Sequence, residues 1–280
     1  MDGWEGMDAA ALDDAYANAA HIAGGAGYPA RWAEAAAAFR AAMGARAELG
    51  LPYGDHPRAR FDLFHPEGTP RGLLVFVHGG YWRLFDRTDW SHLAAGGLAA
   101  GHAVAVVGYP LAPEARVAAI AASVARAVDA AAGRVAGPVR LAGHSAGGQL
   151  VARLLMPDAA PRCAGRVAAC APISPVADLR PLVPQAMNRD LRLDAAEAAA
   201  ESPALGRPVP GPRVAVHVGE RERPAFLWQA RRLAGSWAVP LRVAPGRHHF
   251  DVIDALADPA SPLLRDLLGD GAPVSPAPSR

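Results

Sequence analysis

The chain contains no lysine, and it has little cysteine and few aromatic residues. Because all 28 basic residues are arginines, the chain cannot form a lysine Schiff base or anchor pyridoxal phosphate. Its two cysteines, Cys163 and Cys170, exclude a disulfide framework and a C-x-x-C motif. The 28 basic and 27 acidic residues leave a net charge of +1, so charge indicates neither a nucleic acid nor an anionic membrane as partner.

Long hydrophobic runs and targeting signals are also missing from the sequence. No apolar run approaches the length that spans a bilayer, and the N-terminal stretch MDGWEGMDAA lacks the basic and apolar regions of a secretory signal. Together with the cysteine content, this predicts a cytoplasmic location. With 51% hydrophobic and 20% charged residues, we expect one globular domain over residues 1–270. The Pro- and Ser-rich residues 271–280 are predicted to be a disordered tail.

Apolar runs alternate with helical patterns along most of the chain. Residues 59–65 alternate like a half-exposed strand, and continuous apolar runs at 73–78, 103–109, 138–144, 167–173 and 213–219 suit buried parallel strands. Residues 241–246 are predicted to form the last strand. Helical patterns occupy 8–20, 29–48, 88–100, 115–133, 147–156 and 224–237. This order predicts an α/β fold with a mostly parallel twisted sheet and helices on both faces. Residues 177–203 interrupt the alternation, and we interpret them as a small cap insertion, with an ordinary long crossover as the alternative.

The stretch Gly143-His144-Ser145-Ala146-Gly147 carries the clearest chemical signal. It follows an apolar strand pattern and precedes a helical one, which is the context of a nucleophile elbow. The two glycines allow a tight turn that lifts a serine hydroxyl above the sheet. We therefore predict that Ser145 is a catalytic nucleophile, with the Ala146 amide at the helix N-terminus facing developing negative charge.

A second motif, His78-Gly79-Gly80-Tyr81-Trp82, follows the strand pattern at 73–78. A loop of this HGG type supplies a backbone N–H to an oxyanion hole in many serine hydrolases, and it precedes the nucleophile in the chain. We therefore assign Gly79 or Gly80, together with Ala146, to the oxyanion hole. Tyr81 and Trp82 follow directly and are predicted to contact substrate.

A serine nucleophile needs a base, and the base needs an acid that orients it. In the chain order Ser, acid, His, the acid follows the strand at 213–219 and the histidine follows the last strand. Glu220 and Glu222 both fit the first position, and His248 and His249 both fit the second. The fold pattern alone leaves both pairs open.

The motifs HGGYW, GHSAGG, SPVADLRPL, GERERPAFLWQ and HHFDVIDAL occur in this order, and together they resemble the kynurenine formamidase branch of the α/β-hydrolases. The resemblance covers nearly the whole chain. It implies that Glu222, four residues before Phe226, is the acid and that His249, which precedes Phe250-Asp251, is the base. It also implies hydrolysis of an N-formyl aryl amine, with N-formylkynurenine as the leading candidate.

The expected partner is therefore a small acyl amide or ester, bound in part by Tyr81, Trp82 and Phe226, and no nucleic acid or membrane. A carboxylesterase with another natural substrate is the main alternative, and a ligand receptor built on the same fold is the alternative outside enzymes. We predict no cofactor, and no metal because the sequence has no cluster with metal-ligand spacing. The oligomeric state is left open, with a homodimer as one option.

Overall fold

One nine-stranded sheet organises residues 4–269, the part of the chain that the structure, a computed structural model, describes. The strands are β1 (Ala47–Pro52), β2 (Arg60–Phe64), β3 (Leu73–Val77), β4 (Ala103–Val107), β5 (Val139–His144), β6 (Val167–Ile173), β7 (Arg213–Val214), β8 (Val216–Gly219) and β9 (Leu241–Ala244). Their order across the sheet is β1-β2-β4-β3-β5-β6-β8-β9. The short strand β7 also pairs with β6, next to the position where β8 pairs with it. Only β2 runs antiparallel to its neighbours, so the carboxyl ends of β3 to β9 meet at one edge. The predicted tail at 271–280 lies outside the described residues.

The predicted strands are confirmed, with two differences in detail. Strand β2 was expected to be half-exposed, but four of its five residues are buried because it lies inside the sheet between β1 and β4. The apolar run at 213–219 is divided, because residues up to Val214 pair with β6 and those from Val216 continue beside β9. Strand β1 was not predicted. The helix expected over 29–48 ends at Met43, where Gly44 takes a φ of +53° and the chain turns into β1.

Helices cover both faces of the sheet. They are α1 (Ala9–Ala15), α2 (Tyr28–Met43), α3 (Ala95–Ala99), α4 (Val117–Ala132), α5 (Ala146–Arg153), α6 (Asn188–Leu191), α7 (Ala195–Ala200), α8 (Pro224–Trp237) and α9 (Pro262–Leu268). One core packs the α4, α5 and α8 side of the sheet and the other packs the α2 and α9 side. Only the last part of the helix predicted at 88–100 is α-helical. Two short 3₁₀ turns precede this part, and Trp90, whose φ of −127° and ψ of 4° are not helical, separates them. The α/β architecture follows the sequence pattern.

The interruption at 177–203 contains the two short helices α6 and α7, between β6 and β7. Its side chains pair with neighbouring loops, as in the contacts of Asp190 with Arg83 (2.9 Å) and of Asp194 with Arg116 (3.4 Å). Within residues 4–269 no helix has the length and apolar character to cross a bilayer. The extent of the domain and the compartment remain predictions.

Candidate active site

The turn between β5 and α5 has the geometry of a nucleophile elbow. Ser145 takes the unusual φ of +56° and ψ of −114°, and its N–H donates to the Ile173 carbonyl at 2.8 Å. A Cβ on Gly143 would lie 2.1 Å from the Gly147 carbonyl oxygen, and one on Gly147 would lie 2.0 Å from the Val77 carbonyl oxygen. Both positions therefore require glycine, and the strain at Ser145 is held in place by the two strands around it.

The loop after β3 lies directly against this turn. A Cβ on Gly79 would approach Ser145 Cβ to 3.0 Å, so the loop backbone passes beside the serine. His78 holds the loop, because its Nδ1–H donates to the Gly79 carbonyl at 2.7 Å. Burial lowers the pKa of His78 to about 4, so this ring is neutral at pH 7.

Three backbone amides near Ser145 have no hydrogen-bond acceptor among the described residues. The N–H of Ala146 begins helix α5 and has no acceptor within that helix, as is normal for a first turn. The amides of Gly79 and Gly80 also donate to no acceptor within residues 4–269. Unpaired N–H groups at a helix start and on a facing loop are the arrangement that stabilises an oxyanion.

The acidic and basic side chains come together at the ends of β8 and β9. His249 Nδ1 lies 2.7 Å from Glu222 Oε2, and both side chains are buried. A carboxylate only accepts hydrogen bonds, so Nδ1 carries the proton and Nε2 keeps its lone pair. Glu222 Oε1 accepts from the Gly219 N–H at 3.0 Å and from the Ser174 hydroxyl. Its position is therefore fixed from three directions.

Ser145 and His249 line one cavity, so the structure brings the three predicted catalytic side chains to one place. Ser145 Oγ forms no hydrogen bond with His249 within the described residues, and such contacts are often long when no substrate is bound. The alternatives Glu220 and His248 point elsewhere. Glu220 is exposed and accepts from the Gly246 N–H at 2.7 Å, and His248 Nε2 pairs with the Tyr28 hydroxyl at 3.0 Å.

His144, the second residue of the elbow, supports the base from the other side. Its Nε2 lies 2.8 Å from the His249 carbonyl oxygen, so this nitrogen donates. Burial, reinforced by the nearby His249, holds the pKa of His144 well below its usual range and keeps the ring neutral. His144 occupies a variable position of the Gly-x-Ser-x-Gly motif, and its spacing in the sequence gives no sign of this contact.

The cavity has a volume of about 460 Å³ and is covered by the N-terminal part of the chain. We call residues 16–32 the cover segment, because this stretch supplies nine of the residues that line the cavity. Leu84, Phe85, Trp90 and Phe250 complete an apolar and aromatic wall. None of the residues at 177–203 that the structure describes lines this cavity. The covering role expected of that insertion falls instead to the cover segment.

Of the three predicted substrate contacts, Tyr81 lines the cavity, but Trp82 and Phe226 do not. Trp82 is fully buried, and its indole N–H donates to Gln149 Oε1 at 3.1 Å beneath the elbow. Phe226 is also fully buried and packs behind the base, with 4.2 Å between its ring centroid and that of His249. Both assignments are corrected: these aromatic residues are buried beneath the site and do not line the cavity.

Two functional candidates were missed by the sequence. Ser174 directly follows β6, and its place at the carboxyl edge of the sheet was the available signal. Asn18 lies on the cover segment, 5% exposed, and donates from Nδ2 to the Tyr81 hydroxyl at 3.2 Å. No motif distinguishes Asn18. Among residues 4–269 no group of three His, Cys, Asp or Glu side chains could hold a metal ion.

Comparison with known proteins supports the fold and the hydrolase class. A family model described as the α/β-hydrolase fold matches residues 74–206. A kynurenine formamidase from Salmo salar is 26% identical over 231 residues, which are 75% of this chain and 77% of that relative. The crystal structure of a candidate thioesterase from Silicibacter sp. is 51% identical with a TM-score of 0.90, and the match covers 92% of this chain and 99% of that one.

A hyperthermophilic esterase from Pyrobaculum calidifontis shares the fold at 20% identity, with a TM-score of 0.64 over 83% of this chain and 86% of that one. The elbow, the HGG loop and the extensive similarity to the Silicibacter structure define the class: the chain belongs to the α/β-hydrolase family. It is a hydrolase of that fold that resembles the kynurenine formamidases within the family.

Proposed function

We propose that this protein is a serine hydrolase that cleaves a small acyl amide or ester through Ser145, His249 and Glu222. The observation that carries the proposal is the buried 2.7 Å contact between His249 and Glu222 on the wall of the cavity that Ser145 also lines. The contact fixes the tautomer in which Nε2 can accept a proton, which a serine nucleophile requires.

In the acylation step, His249 Nε2 removes the proton from Ser145 Oγ as the oxygen attacks the substrate carbonyl carbon. The amides of Ala146 and of Gly79 or Gly80 donate to the resulting oxyanion. The protonated His249 then gives its proton to the leaving amine or alcohol as the C–N or C–O bond breaks. Water attacks the acyl-Ser145 ester with His249 as base, which releases the carboxylic acid and restores the serine.

The finer proposal for the substrate is an N-formyl aryl amine, with N-formylkynurenine as the leading candidate and formate as the acid released. It is supported by the name of the Salmo salar relative and by the motifs that resemble this branch. The aromatic wall of Trp32, Phe85 and Phe250 suits an aryl group. An aniline also leaves more readily than an alkyl amine, because its lone pair is delocalised into the ring.

A carboxylesterase with an apolar substrate is the second candidate, and the composition of the cavity favours it. The wall is built from alanine, glycine, proline, leucine and aromatic residues, and no Arg, Asp or Glu of the described chain lines it. Such a wall stabilises a neutral aryl ester without further help. The zwitterionic amino-acid group of N-formylkynurenine would lose hydration on entering it.

Ser145→Ala tests the reaction class, and Ser236→Ala, on the far end of α8, is the matched control. We expect Ser145→Ala to lower kcat on aryl acetates by about 10⁴- to 10⁶-fold and to abolish labelling by a fluorophosphonate. The Ser236 variant should keep both. If Ser145→Ala retained a tenth of the activity in a pure preparation, the nucleophile assignment would be wrong.

Reaction with N-formylkynurenine separates the two substrate proposals. A kcat/KM above about 10⁴ M⁻¹s⁻¹, the low end for a natural substrate, would support the formamidase. Good hydrolysis of aryl esters with every N-formyl aryl amine at background would leave the esterase.

A further inference from the structure

The cover segment carries one buried polar group that its own hydrogen bonds do not satisfy. Asn18 lines the active-site cavity and is 5% exposed. Its Oδ1 is buried and has no hydrogen-bond partner within residues 4–269. A buried acceptor without a donor is costly, and native structures generally pair such groups.

The identity of this unpaired atom follows from the neighbouring hydrogen bonds. The Tyr81 hydroxyl has one proton, and it donates that proton to the Tyr16 carbonyl oxygen at 2.5 Å. The same hydroxyl can therefore only accept from Asn18, so the nitrogen of the carboxamide faces Tyr81 at 3.2 Å. Exchanging the nitrogen and the oxygen of Asn18 would place two acceptors against each other. The unpaired atom is thus the carbonyl oxygen.

The surroundings of Asn18 limit which donor can reach it. The cavity wall is apolar apart from the Asn18 carboxamide, the tyrosine hydroxyls and the groups around Ser145, and no Arg, Asp or Glu of the described chain lines it. A cation that entered would lose its hydration without gaining an opposite charge. An uncharged N–H or O–H beside an aromatic ring loses far less and satisfies the oxygen.

We propose that Asn18 is a specificity residue, whose buried Oδ1 turns toward the cavity when substrate binds and accepts a hydrogen bond from an uncharged N–H or O–H donor on an aromatic substrate. The inference rests on the proposed function, because the same cavity contains Ser145 and His249. The donor is either the N–H of a scissile aryl amide or a substituent on the aryl ring. In both cases the cavity selects uncharged aryl acyl compounds that carry a donor over those that lack one.

Asn18→Leu tests the proposal, because it removes the acceptor and keeps a side chain of similar size. The probes are the acetates of 2-, 3- and 4-aminophenol, the matching tolyl acetates, and formanilide. For each ring position we divide the kcat/KM of the aminophenyl acetate by that of the tolyl acetate. Comparing this ratio between the wild type and the variant cancels the electronic effect of the substituent. If the ring carries the donor, we expect one of these ratios to fall about tenfold or more. If the scissile amide carries it, formanilide loses that factor and the tolyl acetates stay within about twofold.

Ala20→Leu is the matched control. Ala20 lines the same cavity from the cover segment, and its replacement removes no hydrogen-bond acceptor. It should change all probes by a common factor. Asn18→Ala serves as a second variant in case leucine disturbs folding, and fluorophosphonate labelling of Ser145 reports that the catalytic groups are intact. A common factor for all probes in both Asn18 variants would overturn the specificity role. Absence of any Ser145-dependent turnover in wild type would overturn the proposed function and this inference with it.

The uncharged character of the substrate has a separate test. N-formylkynurenine and 2′-acetylformanilide share the formanilide and the ortho carbonyl, and only the first has the amino-acid group. We expect the neutral compound to have a kcat/KM at least about tenfold higher, because charged groups lose hydration in the apolar cavity. An equal or higher value for N-formylkynurenine would refute the selection of uncharged substrates and leave the hydrolase mechanism standing.

Discussion

The two sides of the cavity are held in different ways. On one side, the loops after β3, β5, β6, β8 and β9 form what we call the catalytic floor, where buried hydrogen bonds connect one strand end to the next. The Glu222 carboxylate, for example, accepts hydrogen bonds from His249, Gly219 and Ser174. On the other side, the cover segment is Ala- and Gly-rich, and it is attached through few polar contacts, among them the 3.0 Å contact between Tyr28 and His248.

This difference separates chemistry from selectivity. Reacting groups must keep their geometry to within fractions of an ångström, and a sheet edge joined by buried hydrogen bonds provides that rigidity. A cover with few polar attachments can differ in shape without moving the reacting groups. Substitutions in the floor should therefore lower kcat, and substitutions in the cover should mainly raise KM.

The neighbouring histidines give the largest contrast. His249→Ala removes the base, so we expect kcat to fall by about 10⁵-fold. His248→Ala removes the contact with Tyr28 and loosens the cover, so KM should rise by less than about tenfold with kcat nearly unchanged. Steady-state kinetics on an aryl acetate measures both. An inactive His248 variant beside an active His249 variant would exchange the two roles.

The neighbouring glutamates give the next contrast. In Glu222→Gln, the carboxamide no longer selects the tautomer with Nδ1 protonated, and we expect kcat to fall by about 10⁴-fold. Glu220→Gln weakens only an exposed contact with the Gly246 amide and should leave kcat within about twofold. Circular dichroism of both variants checks that the fold is intact. Similar losses in the two variants would remove the distinction between them.

The floor should also lose stability in acid. Burial lowers the pKa of His78 to about 4, below the value of about 6.5 in an unfolded chain. Between these values the unfolded chain binds more protons, so the contribution is complete above pH 6.5 and is lost as the pH falls toward 4. This histidine should cost about 2 kcal/mol of unfolding free energy between pH 7 and pH 5.

Urea unfolding at the two pH values measures this loss. His78→Asn keeps an N–H donor, and its unfolding free energy should fall less between pH 7 and pH 5. Part of the pH dependence remains in this variant, because burial also lowers the pKa values of His102 and His217 to about 4. Equal slopes in the wild type and in His78→Asn would contradict the burial argument.

Ser174 should give the smallest effect within the floor. Ser174→Ala removes one of three hydrogen bonds to Glu222 and leaves the Gly219 amide in place. We expect kcat to fall about tenfold with KM unchanged, because the residue positions the acid and does not contact substrate. A rise in KM alone would place Ser174 with the cover instead.

The floor was largely predictable because its residues follow strand patterns. Ser145 and the loop at Gly79 and Gly80 come directly after apolar runs, and the carboxyl ends of parallel strands meet at one edge wherever such runs pair. Pattern alone did not choose between Glu220 and Glu222. Neighbouring side chains on a loop point in directions that depend on the local backbone, and only the resemblance favoured Glu222 before the structure placed it against His249.

The sequence by itself determined the alternation of strands and helices from β2 onward, the strained serine turn and the HGG loop, because periodicity and glycine placement are local properties. The tertiary structure decided which segment covers the cavity. It also decided that Trp82 and Phe226 lie beneath the site and that Asn18 lies on its wall. These outcomes depend on how segments far apart in the chain pack together, as Asn18 and Tyr81 do across 63 positions. No local pattern specifies such a contact.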